Sequence, residues 1–218
     1  MPELDHLILG CPNLEEGIQE INQLTGVQAI HGGPHPGLGT HNALLSLKGP
    51  LNNLQYLEII APDPLQNITR RSMASRLGEL PAPALITWAA KSTKILDTAK
   101  RSEVLGLAPR GPINATRQAP NGDLLAWQLL FVDGSERGLP FFIDWQDTPH
   151  PSASSPGGCV LNSFEVFSPS AGNLGIEFEA LDLRITLKTA DKALLKAVIE
   201  SPKGPVELVS NGALMSFI

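Results

Sequence analysis

Cysteine is nearly absent from this chain. Cys11 and Cys159 are the only two, and neither has a CxxC partner or a metal-type spacing. That excludes a disulfide scaffold or a thiolate metal centre as the organising element, and both thiols are expected to be buried. Positive charge is also short: 16 Lys and Arg stand against 22 Asp and Glu, and no basic cluster appears beyond Arg70 and Arg71. Nucleic acid is therefore not an expected partner. No apolar run approaches the roughly 20 residues of a membrane span. The opening MPELDHLILG is acidic where a signal peptide would be positive, so a soluble, cytoplasmic protein without membrane association is expected. Ser, Cys and His form no nucleophile-elbow arrangement, and GLGT (37–40) lacks the glycine pattern and following helix of a phosphate loop.

What is abundant is turn chemistry. With 20 glycines, 19 prolines and 42% hydrophobic residues, the chain reads as a globular fold with many short elements. LDHLIL (4–9) has strand length. Leu14, Ile18, Ile21 and Thr25 then recur at helical spacing, with Asn13 and Glu16 as a capping pair and Gly26 as a stop. VQAIH, HNALLSL and QYLEII each read as strands, so the first sixty or so residues spell β-α-β-β-β.

The same order returns after the proline-rich PAPA at 81–84. LITWAA is a strand, and a helix starting at Ser92 carries Ile95, Leu96 and Ala99 on one side. ATRQA and LLAWQLLFV flank the hairpin signal Asn121-Gly122, and LPFFIDW closes the unit. PHPSASSPGG (149–158) reads as a linker. A third, reduced copy is expected over 159–218, from VLNSFEVF, RITLKT, KAVIES and GPVELVS. The expected fold is α+β: paired βαβββ modules at 1–64 and 82–148 form one domain over 1–150, with the C-terminal unit packed on it.

LDHLIL, HGGPHPGLGTHNALLSL, YLEIIAPDP and LPFFIDWQDTPHP, in that order, resemble the glyoxalase-like domain proteins of the vicinal oxygen chelate superfamily. The likeness spans most of the first 150 residues. It implies an open, cupped mixed sheet with helices outside, and a divalent metal in the cup held from the first and last strands of the modules. The superfamily includes lyases, isomerases, extradiol dioxygenases and resistance proteins that only bind, so fold does not choose the reaction.

Under that resemblance His6 matches the first-strand histidine and Glu58 the last-strand glutamate. An imidazole and a carboxylate on neighbouring strands suit Zn²⁺, Ni²⁺, Mn²⁺ or Fe²⁺. Alternation puts His6 on a face with Leu4 and Ile8, and Glu58 with Tyr56 and Ile60. The plainer alternative is a satisfied polar pair. The second module departs from the pattern, with Thr87 and Trp88 where a histidine would stand. Its last strand offers Asp144 as a third ligand, a general base or a turn cap. Trp88, Trp127 and Trp145 line a pocket or build core, and His150 is a lid residue or a surface histidine. Of the loop histidines, His31 and His35 read as solvated or turn-forming, while His41, entering a strand, is the one expected to face the cup.

Two functions follow. One is a metal-dependent lyase, isomerase or dioxygenase-type enzyme acting on a small organic substrate with two adjacent oxygens, in which Glu58 or Asp144 moves the proton. The other is a metal-free protein that sequesters an apolar compound in a tryptophan-lined cup. Edge strands of an unfinished repeat also make a homodimer an expectation.

Overall fold

Asn13 begins the first helix as its position suggests. Its side chain accepts hydrogen bonds from the backbone N–H groups of Glu15 (2.9 Å) and Glu16 (3.2 Å), and Gly26, at φ 77°, ends the helix. In this computed structural model, which describes residues 2–47, 54–118, 122, 124–212 and 214–215, helix α1 (Leu14–Thr25) follows strand β1 (Glu3–Gly10). It precedes β2 (Ile30–His35), β3 (Thr40–Ser46) and β4 (Tyr56–Pro62). A short helix α2 (Met73–Gly78) leads into the second set: β5 (Ala84–Lys91), α3 (Ile95–Val104), β6 (Arg110–Gln118), β7 (Leu124–Phe131) and β8 (Phe141–Asp144).

Helix α3 starts three residues after Ser92, because Ser92 Oγ pairs with Thr98 Oγ1 (2.9 Å) instead of capping the first turn. Ile95 and Ala99 are buried on its inner side, whereas Leu96 is exposed. At the β6–β7 hairpin, Asn121 lies outside the described residues, while the strands pair antiparallel out to Gln118 and Leu124.

All eight of these strands form one sheet in the order β2-β3-β4-β1-β5-β8-β7-β6. Each βαβββ set contributes four adjacent strands, with its first strand parallel to its last. The two sets meet where β1 pairs antiparallel with β5. The sheet curls until its outermost strands, β2 and β6, touch. One face therefore becomes the inside of a cup, with α2 packed on that side, and helices α1 and α3 cover part of the other.

The β1–β5 seam is irregular in a way that shapes the cup. Leu4 pairs with Ala90 and His6 with Ala89, so Asp5 is an extra residue in β1. Such a bulge breaks the two-residue alternation. Leu4 consequently packs toward the helix-side core, while Ile8 packs on the cup side with Tyr56, Ile60 and Phe141. The expectation that Leu4 shares a face with His6 and Ile8 is corrected at this bulge.

The C-terminal residues form β9 (Val160–Ser168), α4 (Ala171–Ala180), β10 (Thr186–Thr189), β11 (Leu194–Ser201) and β12 (Gly204–Val209). Their element order is again β-α-β-β-β, but the hydrogen-bonded order is β10-β9-β11-β12. Here the first strand lies parallel to the second strand of the unit rather than to the last. This second sheet packs against β5 and α1 on the outside of the cup, and Val166, Leu195, Ala197 and Ile199 join the helix-side core. No helix among the described residues is long and apolar enough to cross a membrane.

Candidate active site

Within the cup, the polar side chains come almost entirely from the first βαβββ set. Strand β4 presents Tyr56, Glu58 and Ile60 to the interior. Antiparallel β3 opposes it in register, with Leu44 across from Glu58 and Asn42 across from Ile60, so Thr40, Asn42 and Leu44 share that face. His41 is out of phase by one residue. It lies outside the cavity, on the side of Glu15, His31 and Asp63, and the expectation that it faces the cup is corrected by strand alternation. The histidine that does enter is His35, at the end of β2. Its Nδ1 is 2.9 Å from Thr40 Oγ1 and its Nε2 is 3.7 Å from Glu58 Oε1. Burial holds the His35 imidazole below its ordinary pKa, which favours the neutral ring.

His6 and Glu58 meet as the strand reading anticipated. His6 Nε2 stands 3.5 Å from Glu58 Oε2. Asn42 donates a short, charge-assisted hydrogen bond of 2.6 Å to Glu58 Oε1, and its own carbonyl accepts one of 3.1 Å from Arg117 Nη1. Tyr56 stacks on the His6 ring with centroids 4.4 Å apart.

Behind His6 lies the residue added by the bulge. Asp5 is 1% exposed and takes three partners: His6 Nδ1 at 2.7 Å on one oxygen, and Trp145 Nε1 at 3.0 Å and His150 Nε2 at 3.2 Å on the other. Burial alone would push this carboxyl up, but hydrogen bonds from His150 and His6 outweigh it and hold the pKa down at about 2. An ionised carboxylate only accepts, so the protons sit on His6 Nδ1 and on His150 Nε2. His150 Nδ1 then accepts from the backbone N–H of Ser152 (3.3 Å). In this arrangement His6 Nε2 is the ring nitrogen left facing Glu58.

The second set supplies an apolar wall. Trp127, Leu129, Phe131, Phe141, Ile143 and Trp145 line a cavity of about 700 Å³, its open mouth included. Trp127 and Trp145 thus enter the pocket, but Trp88 does not. It pairs with Leu7, points outward, donates to the Gly138 carbonyl at 2.9 Å and packs edge-on against Phe164 and Phe178 under the second sheet. Asp144 is likewise placed away from the cup. Phe141, Ile143 and Trp145 take the inward positions, and Asp144 caps the following turn through the Gln146 N–H (2.9 Å). His150 does not line the cavity but sits behind the site as a partner of Asp5, while its neighbour Pro151 lines it.

The strand geometry and the cup find their counterpart in known proteins. The family model described as Glyoxalase-like domain matches residues 4–178. This chain belongs to the glyoxalase-like domain family.

Among solved structures, a hypothetical protein from Staphylococcus aureus superposes with a TM-score of 0.62 at 16% identity, covering 96% of this chain and 86% of that one. A methylmalonyl-CoA epimerase in complex with methylmalonyl-CoA and NH4+ gives 0.53 at 14% identity, covering 69% and 99%. A single-residue variant of Streptomyces coelicolor methylmalonyl-CoA epimerase, in complex with 2-nitronate-propionyl-CoA, gives 0.51 at 14%, covering 68% and 97%. At these identities the likeness is one of fold, that of the vicinal oxygen chelate superfamily. No curated protein matches the chain significantly in sequence.

For the family's metal, the donor set is the test. Two donors each about 2.1 Å from one tetrahedral ion stand about 3.4 Å apart, close to the 3.5 Å between His6 Nε2 and Glu58 Oε2. The Asp5 carboxylate behind His6 is the kind of partner that orients a ligating imidazole. The second set offers Ala89, Phe141 and Ile143 where further ligands would stand, and no group of three His, Cys, Asp or Glu among the described residues forms a complete cage. His6 and Glu58 fit as a pair of ligands, with His35 beside them.

Proposed function

We propose that the cup is the active site of a vicinal oxygen chelate enzyme that moves a proton on a small organic substrate. His6 and Glu58 form its reactive centre, and a divalent cation is its cofactor. The observation that carries this reading is the opposition of His6 Nε2 and Glu58 Oε2 at 3.5 Å, with the other His6 nitrogen tied to Asp5. A ring nitrogen and a carboxylate oxygen facing each other in a buried site are the donor types that a divalent cation between them would join.

His6 and Glu58 would hold the ion, and Zn²⁺, Ni²⁺, Mn²⁺ and Fe²⁺ suit this nitrogen and oxygen pair. When bound, it supplies Lewis-acid polarisation of two adjacent substrate oxygens. The chain's own residues do the rest. Asn42 fixes one oxygen of Glu58, so the carboxylate meets the substrate in a set orientation. His35, neutral through burial and 3.7 Å from Glu58, is the group that receives or returns the proton. The apolar wall excludes water and raises the strength of each polar contact. This is isomerase or lyase chemistry, begun by removing a proton beside a carbonyl.

Metal analysis of untagged protein, after loading with each of the four ions, is expected to find a stoichiometric ion in the wild type. His6→Ala and Glu58→Gln are expected to lose it. If no loading condition gives a stoichiometric ion, the cation is removed from the proposal. A second reading is favoured by Trp127 and Trp145 in the wall: a metal-free protein that sequesters apolar compounds. It predicts ligand-dependent tryptophan fluorescence with no turnover of any bound compound.

A further inference from the structure

We propose that the compound bound in the cup is an organic carboxylate, and that Arg117 sets this specificity by holding the anionic group while the carbon skeleton lies against the tryptophan wall. The inference rests on the active-site reading above and adds the substrate class. Arg117 stands on β6 where the curled sheet brings that strand against β2, and it lines the cavity at 7% exposure. One edge of its guanidinium is used, through Nη1 to Asn42 (3.1 Å). Its Nε is buried and, among the described residues, has no hydrogen-bond partner. A guanidinium keeps its charge and offers donors in a planar fork, so a buried one with an unused edge matches a two-oxygen acceptor.

The described residues do not already provide that acceptor. Among the described residues no carboxylate forms an ion pair with Arg117. The nearest acid in the network, Glu58, is reached only through the neutral amide of Asn42, whose carbonyl faces Arg117 and whose amino group faces Glu58. The charges of the site point the same way. Asp5 and Glu58 bring two negative charges, while Arg117 and a divalent cation bring three positive ones. A monoanionic ligand closes the balance inside an apolar cavity, where an uncompensated charge is costly. Beside Arg117, on the strand paired with its own and the ones beyond, Trp127, Leu129, Phe141 and Trp145 offer an apolar surface to an aromatic or short aliphatic body.

The probes are phenylacetate, phenylpyruvate and hexanoate, each titrated beside phenylacetamide or hexanamide into zinc-loaded and chelator-treated protein. Calorimetry is the readout. The acids are expected to bind at least about tenfold more tightly than the amides. Arg117→Gln is expected to abolish the ratio with the metal content unchanged, and Arg117→Lys to restore part of it, with circular dichroism confirming the fold of each. Should Arg117→Gln fail to fold, the wild-type ratio and the lysine variant still decide. Equal binding of acids and amides, a preference that survives in Arg117→Gln, or no acid binding up to about 10 mM would overturn the assignment. A preference for acids without any bound metal removes the cation and keeps the carboxylate. Bound metal without that preference does the reverse.

Discussion

His6 owes its chemistry to a neighbour one position away. Asp5 accepts a hydrogen bond from His6 Nδ1 and so leaves Nε2 as the nitrogen facing Glu58. Asp5→Asn should exchange that acceptor for a group that can also donate, release the tautomer, and lower metal affinity by about 10–100-fold. Nitrogen NMR of the imidazole would show the change directly. The same carboxylate carries acid stability. Its pKa in the fold is about 2, against an ordinary 3.8, so its contribution is present above about pH 4 and is lost as the pH falls toward 2. Urea unfolding should find wild type more stable than Asp5→Asn by on the order of 2 kcal/mol at neutral pH, with the gap closing in that acid window. A gap independent of pH would contradict this account. His6 and Glu58 were legible as residues, because alternation and the family pattern both mark them. Asp5 was not, since an extra residue in a strand has no signature in an apolar run, and His35 was hidden because the glycine- and proline-rich stretch read as a loop forms the end of β2.

At the scale of the element, irregular strands do what regular ones cannot. The bulge at Asp5 turns a carboxylate toward the back of the site. A second irregularity, between His31 and Gly33 in β2, places Gly32 where the Asn42–Arg117 hydrogen bond passes. A methyl group on Gly32 would overlap Asn42 Oδ1 and Arg117 Nη1. Gly32→Ala should therefore cost about 1–3 kcal/mol through overpacking. It should also erase the preference for acids over amides, because the arginine must move. Thermal melts and the same calorimetric titration check both effects, and a variant of unchanged stability and unchanged preference would show that the strand yields easily there. Regular elements were read well: α1 has the cap and stop its sequence announced, and both βαβββ orders are present. The position of His41 failed by a single residue, which in a strand is enough to exchange inside for outside.

Across the whole molecule, the C-terminal sheet explains what the tryptophans do. Trp88 is fully buried between the cup's outer face and Phe164 and Phe178, so it answers to packing and not to ligand. Trp88→Ala should destabilise by about 3–5 kcal/mol, and truncation after Gly158 should leave that face uncovered and the near-UV dichroism collapsed. Ligand-dependent fluorescence should persist in Trp88→Phe and fade in Trp127→Phe and Trp145→Phe; the opposite pattern would place the ligand elsewhere. By itself the sequence determined the repeated supersecondary unit, the helix limits near Asn13 and Gly26, and the strand character of the segments that carry His6 and Glu58. Those depend on local periodicity and capping, which neighbours in the chain carry. Tertiary structure alone decided that Arg117 on edge strand β6 reaches Asn42 on β3, that Asp144 turns away, and that Trp88 belongs to the core. These depend on how far the sheet curls and on which face the second sheet covers, and both are set by contacts between residues far apart in the chain.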